Sequence, residues 1–210
     1  MKDIAKLFIS LGLVCCIGCA ALVWVNQTTM EPRKEVKAKI LSDNLLMVLP
    51  AGATCQFDGS KRLEFDGVVF HRAYDNGRLA AVVAETSAQG FGGPIHALVG
   101  FDVPKGEIVR VVVTAHTETP GLGTQATDRK EVKSLWRKST LKPGELAPNP
   151  FLDKGFSGKR IGKFRLGKAD PANPGMVEAV SGATYSSRGV CKGVKRACKV
   201  YAAHEAEIKK

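Results

Sequence analysis

The hydrophobic pattern of the chain changes period three times. Residues Leu7 to Val25 read LFISLGLVCCIGCAALVWV without a charge. At ~1.5 Å per residue that run comes close to crossing a hydrocarbon core of ~30 Å, which predicts a membrane helix. Lys2 and Lys6 precede it, and Trp24 stands near its end, where an indole suits the polar-apolar boundary. Between positions 31 and 49, apolar Val36, Ile40, Leu41, Leu45 and Val48 recur at a helical spacing. This predicts an amphipathic helix leaving the membrane, ended by Pro50 and Gly52. The period then becomes that of strands. Val68 to Asp75 and Arg78 to Glu85 flank Asn76-Gly77, a pair suited to the positive φ of a type I′ turn. Ile95 to Phe101 and Glu107 to Ala115 bracket Pro104-Lys105-Gly106. Asp128 and Glu131 form a capping box before a short helix through Val132, Leu135 and Trp136. A Gly- and Pro-rich stretch from Lys142 to Gly175 contains a strand at Arg160 to Leu166. A closing helix starts near Ser187, with Val190, Cys191, Val194, Ala197, Cys198 and Tyr201 on one face and Lys192, Lys195, Arg196 and Lys199 on the other.

Strands clustered before helices predict an α+β domain: one antiparallel sheet with flanking helices, preceded by a single transmembrane helix. The expected organisation is a tail at 1–6, the membrane helix at 7–25, a linker with amphipathic helix at 26–60, and one domain at 61–210. A cleaved signal peptide and a lipoprotein signal ending at Cys19 compete with a permanent anchor. No small-x-small site follows the apolar run, and Cys16 stands where lipoprotein signals prefer Leu, so the anchor is expected. Arg33, Lys34, Lys37 and Lys39 follow the segment, and a literal positive-inside count would keep the domain in the cytoplasm. Large translocated domains escape that rule, so counting leaves the side open.

Composition narrows the field further. The 31 Lys and Arg against 20 Asp and Glu give +11, a balance that suits anionic lipid, nucleic acid or an acidic partner. No basic run is interleaved with aromatics and no zinc-finger spacing occurs, so nucleic acid is not an expected partner. Cys15, Cys16 and Cys19 lie in the apolar segment, while Cys55, Cys191 and Cys198 are scattered without a CxxC pair. Neither an iron-sulfur cluster nor a metal site is expected. A disulfide from Cys55 to Cys191 or Cys198 and a set of buried thiols are both open.

Three segments carry candidate chemistry. Val180 to Ser187, VSGATYSS, stands where a turn passes into the last helix. Gly182 permits a tight path, Ser186 or Ser187 can cap the helix, and free N–H groups at a helix start attract phosphate. His116 to Gly123, HTETPGLG, follows a predicted strand; its Pro120 and glycines let backbone approach a flat ring, and Leu122 offers an apolar surface. Gly90 to Ile95, GFGGPI, is a third glycine-rich loop. Read as bare strings, these are a capped turn and two loops. His116 and Glu118 also fit an acid-base pair, and Arg188 could reach a phosphate at the helix start.

Together, in this order, the three segments resemble the FMN-binding domain family. That family is shared by the G subunit of Rnf-type ion-translocating electron transport complexes and the C subunit of the sodium-translocating NADH:quinone reductase. The family pattern Asp-x-x-Ser/Thr-Gly-Ala-Thr/Ser is matched at Ser181, Gly182, Ala183 and Thr184, with Glu178 where the family has Asp. The resemblance implies FMN joined through its phosphate to the Thr184 side-chain oxygen by a flavin transferase. It places Glu118, Thr119, Gly121, Leu122 and Gly123 in the loop against the isoalloxazine. It further implies an electron-carrier subunit, incomplete as an enzyme alone and without catalytic side chains of its own. Such a subunit would assemble with others in a bacterial inner membrane, its domain extracytoplasmic, in a complex coupling ferredoxin and NAD chemistry to ion transport. Chain length and the N-terminal anchor favour the Rnf-type subunit over its quinone-reductase counterpart. A flavin-free, membrane-anchored binding module is the alternative from another class.

Overall fold

A computed structural model describes residues 2–50, 56–57, 62–129, 146–168, 173 and 175–210. The chain divides into two compact units, Met1–Asp43 and Asn44–Lys210. The first is most of helix α1 (Lys2–Met47), which runs without a break through both the predicted membrane segment and the predicted amphipathic helix. Within it, Leu11–Met30 is a 20-residue stretch long and apolar enough to cross a membrane, with none of it buried. Phe8, Leu13, Ile17, Leu22 and Trp24 are all exposed, a surface that suits a membrane anchor.

The second unit is built on an antiparallel sheet of six strands: β1 (Gln56–Phe57), β2 (Leu63–Phe65), β3 (Val68–Asp75), β4 (Arg78–Gln89), β5 (Pro94–Asp102) and β6 (Glu107–Ala115). The order is β1-β3-β4-β5-β6, and β2 shares the β3 edge with β1. Asn76 and Gly77 have φ of 48° and 78°, the positive values the β3–β4 turn requires. The β4 strand continues to Gln89, four residues past the predicted end at Glu85, because its pairing with β5 extends from Ala81↔Asp102 to Gln89↔Pro94. A second Asx-Gly pair, Asp66-Gly67, with φ of 49° and 69°, turns β2 into β3. That signal stands in the sequence beside a strand the periodicity alone did not yield.

Among the described residues, four helices follow the sheet: α2 (Thr124–Thr127), α3 (Pro150–Phe156), α4 (Thr184–Ala203) and α5 (Glu205–Ile208). All six residues predicted on the apolar face of the closing helix are buried, and α4 covers β4 and β5 with them. Tyr201 wedges between Phe70 and Phe101, with ring centroids at 6.4 and 4.9 Å. Glycines set how closely the layers approach. At Gly189 a Cβ would stand 2.9 Å from the Gln89 carbonyl oxygen, so the first half of α4 lies directly on the end of β4. Burial pushes the Cys198 thiol up to about 12 and raises that of Cys191, so these free thiols are packing residues with little thiolate character. Cys55 lies outside the described residues, as do Glu131 and the predicted helix through Val132, Leu135 and Trp136.

The strand predicted at Arg160 to Leu166 is corrected. Arg160 makes only an isolated bridge to Glu107, and the strand there is β7 (Arg165–Gly167), paired in parallel with β8 (Met176–Glu178). Gly162, at φ 76°, turns the chain between the two, and left-handed backbone cannot continue a strand. Before it, Asn149 caps α3 by accepting from the Leu152 N–H at 3.0 Å, with Pro150 in the first turn. The same amide donates to the Gln125 and Asp128 carbonyls at 3.2 and 2.8 Å, tying α3 to the segment after the PGLG loop.

Asp153 completes this support by pairing with Arg129 at 2.6 Å. Burial would raise the Asp153 carboxyl, but the hydrogen bonds from Arg129 and the Asn149 N–H and the Arg129 charge outweigh it and hold it below its ordinary value. A lowered carboxyl stabilises the fold above its unfolded-state value and loses that contribution as pH falls through the folded-state value. Asp153→Asn is therefore expected to lower the thermal midpoint at neutral pH and to flatten the loss of stability below about pH 4. A parallel loss of midpoint in both proteins between about pH 5 and about pH 2 would contradict it.

Candidate functional site

The three glycine-bearing segments picked out in the sequence converge at the N-terminal end of α4. Gly182, at φ 77°, turns the chain after β8 so that α4 begins at Thr184, three residues before the predicted start at Ser187. Ser186 and Ser187 consequently fall inside the first turn and do not cap the helix, as was expected of them. The Ser187 hydroxyl accepts from the Val180 N–H at 3.1 Å, and the buried Ser186 hydroxyl donates to Glu118. The N-cap is Ala183, whose side chain offers no acceptor, so among the described residues the N–H groups of the first turn have no side-chain cap.

Glu118 joins all three segments. The residue is 5% exposed, and its two oxygens accept separately, Oε1 from the Gly92 N–H at 3.1 Å and Oε2 from the Ser186 hydroxyl. Each partner belongs to a different motif. A Cβ at Gly92 would lie 2.1 Å from the Thr117 carbonyl oxygen, and one at Gly123 would lie 2.7 Å from Glu118 Oε2. Glycine is required at both positions because backbone and carboxylate fill the space. The Glu118 N–H donates to His116 Nδ1 at 3.2 Å, which leaves the proton of a neutral ring on Nε2, where Asp128 accepts it. His116 and Glu118 thus direct their side chains to different partners, an arrangement of support rather than of proton exchange between them.

Around this junction lies a cavity of about 290 Å³, lined by Phe91, Glu118, Thr119, Leu122, Gly123 and Gly182 to Ser186. Of the residues singled out in the sequence, Glu118, Thr119, Leu122, Gly123, Gly182, Ala183 and Thr184 meet on its wall. Gly121 faces a neighbouring cavity of about 440 Å³, and exposed Ser181 lines neither. The Thr184 hydroxyl makes no hydrogen bond among the described residues. Phe91, Leu122 and Tyr185 present large apolar surfaces, 69%, 52% and 65% exposed. Phe91 and Tyr185 are aromatic neighbours at 6.2 Å, and sequence reasoning gave neither a role. Arg188 stacks over the Tyr185 ring at 5.7 Å and is not on the cavity wall.

Residues 90–199 match the family described as FMN-binding domain, a span that contains all three segments. The chain belongs to the FMN-binding domain family. Among curated relatives, the G subunit of the ion-translocating oxidoreductase complex of Escherichia coli is 30% identical over 94% of this chain and 90% of its own length. Its counterpart in Pseudomonas aeruginosa is 28% identical over 94% and 88%. The G subunit of the proton-translocating ferredoxin:NAD(+) oxidoreductase complex of Clostridium ljungdahlii is 26% identical over 90% and 86%. Among solved structures, the match to NqrC of Shewanella oneidensis covers 78% of this chain and 72% of that one, at 25% identity and a TM-score of 0.45.

FMN is the cofactor of this domain, and the cavity suits it on chemical grounds. Exposed apolar side chains flank an opening at which uncapped helix N–H groups offer donors to an anion. The Gly182 turn is essential to that arrangement. In Gly182→Ala, the added Cβ would meet Leu122 Cδ2 at 3.5 Å, ordinary contact, so the cost is that of the left-handed backbone, about 1–2 kcal/mol. A thermal midpoint equal to that of the unaltered protein would show that the turn tolerates a side chain.

Proposed function

We propose that this protein is the FMN-carrying electron-transfer subunit of a membrane-bound, ion-translocating oxidoreductase complex, with the flavin held covalently on Thr184. The observation that carries the attachment site is the state of the hydroxyls in one short stretch. Those of Ser186 and Ser187 are buried and committed to Glu118 and to the Val180 N–H, and Ser181 stands off the cavity wall. Thr184 alone among them combines exposure with a place on the cavity wall, and its oxygen has no hydrogen-bond partner among the described residues. A phosphoester there would set the phosphate beside the first N–H groups of α4, where the helix dipole favours negative charge.

Bound FMN supplies reversible electron transfer, and the protein's part is to hold and tune it. Leu122, Phe91 and Tyr185 offer apolar surface to the ring system, and the glycines of the two loops leave the backbone close. Attachment requires a flavin transferase as a partner, and the complexes to which the relatives belong support further subunits as neighbours. The Clostridium relative's name supports ferredoxin and NAD as the redox couples of the assembled complex. The exposed apolar stretch Leu11–Met30 supports an inner-membrane anchor, with the domain on the extracytoplasmic side as the family resemblance implies.

Thr184→Ala is expected to abolish flavin fluorescence of the denatured protein made with its transferase. The change should cost about 0.5 kcal/mol or less, since the side chain is exposed and unbonded. Thr184→Ser should retain attachment. Persistent fluorescence in the Ala variant, or an FMN mass mapped to Ser181, Ser186 or Ser187, would defeat the assignment. Leu122→Ala should keep covalent FMN while shifting its absorbance or potential through lost apolar contact. A spectrum and potential unchanged from the unaltered protein would remove Leu122 from the ring's surroundings.

A further inference from the structure

We infer that Glu118 sets the reduction potential of the flavin through its buried negative charge and that Ser186 moderates this effect, an inference that rests on the FMN reading above. Glu118 is on the cavity wall, yet both of its oxygens are turned into the protein, one to the Gly92 N–H and one to the Ser186 hydroxyl. Two donors on two oxygens are the pattern of a carboxylate that accepts at each end. With 5% exposure it is screened little by water, so its field reaches the cavity at an effective dielectric well below that of solvent. Adding an electron to a flavin beside a fixed negative charge is disfavoured, and the potential falls. Glu118 is thus a tuning residue that acts on the cofactor through space, without a bond to it.

The surroundings show that this charge is built in. Among the described residues no lysine or arginine lines the cavity with it, and the hydrogen bonds it accepts come from the Gly92 N–H and the Ser186 hydroxyl. The glycines at 90 and 123 make room for the carboxylate. A Cβ at Gly90 would sit 2.2 Å from its Oε1, and one at Gly123 would sit 2.7 Å from its Oε2. Behind it, Asp128 holds His116, whose Nδ1 fixes the Glu118 N–H and with it the start of the side chain. Ser186 has the opposite electrostatic role from Glu118. Its hydroxyl dipole points at the carboxylate and offsets part of the charge, so removing it strengthens the field at the cavity.

The two residues therefore make opposite predictions, which a purely structural role for the pair does not. Full-length protein, loaded with FMN by its transferase and held in neutral detergent, would be titrated spectroelectrochemically. Glu118→Gln keeps the size of the side chain and an acceptor oxygen but removes the charge, and its midpoint potential should move to more positive values. Ser186→Ala should move the midpoint to more negative values, and it carries the test if the Gln variant does not fold. Midpoints unchanged in both variants, or shifted in the same direction, would overturn the inference while leaving FMN on the protein. A colourless unaltered protein would instead overturn the FMN reading and this inference with it.

Discussion

The geometry of the site depends on one carboxylate bridging segments that lie far apart in the chain. Glu118, in the stretch after β6, bonds to Gly92 between β4 and β5 and to Ser186 at the start of α4. A buried carboxylate cannot be left without donors, because an unsatisfied charge in low dielectric costs on the order of several kcal/mol. Both loops must therefore come to it. That demand explains the glycines on either side, since side chains at Gly92 or Gly123 would occupy the volume of the Thr117 backbone or of the carboxylate itself. The motif glycines are thus accounted for by the carboxylate and the backbone they surround.

What fixes the start of α4 relative to the sheet is apolar packing. The buried stripe from Val190 to Tyr201 lies on β4 and β5, and Gly189 lets the helix rest against the end of β4. The hydroxyl of Thr184 is presented at the cavity because the helix behind it is held by this core. On the other flank, Asn149 and the Arg129–Asp153 pair brace the segment that follows the PGLG loop. The apolar surfaces of the cavity wall can stay exposed because a rigid frame bears the cost of ordering them. Leu122, Phe91 and Tyr185 are accordingly open surfaces on a closed foundation.

By itself, the sequence determined the features that depend on neighbours in the chain. An uncharged run of membrane length, the Asn76-Gly77 turn and the helical spacing of Val190 to Tyr201 are local statements, and the structure carries each of them. The three glycine-bearing segments were also visible as strings, and their resemblance to a family supplied a common site. Two further local signals went unused, the Asp66-Gly67 turn and the Asn149-Pro150 helix start, although both are of the same kind as those that were read. The tertiary structure decided what depends on partners remote in sequence. It moved the start of α4 to Thr184, withdrew Ser186 and Ser187 from capping, and gave Ser186 to a carboxylate 68 residues away. It placed Gly121 and Ser181 off the cavity and brought Phe91 beside Tyr185. Hydrogen-bond satisfaction and close packing are settled between segments, whereas periodicity and turn chemistry are settled within them, and this is why the elements were legible and the wiring of the site was not.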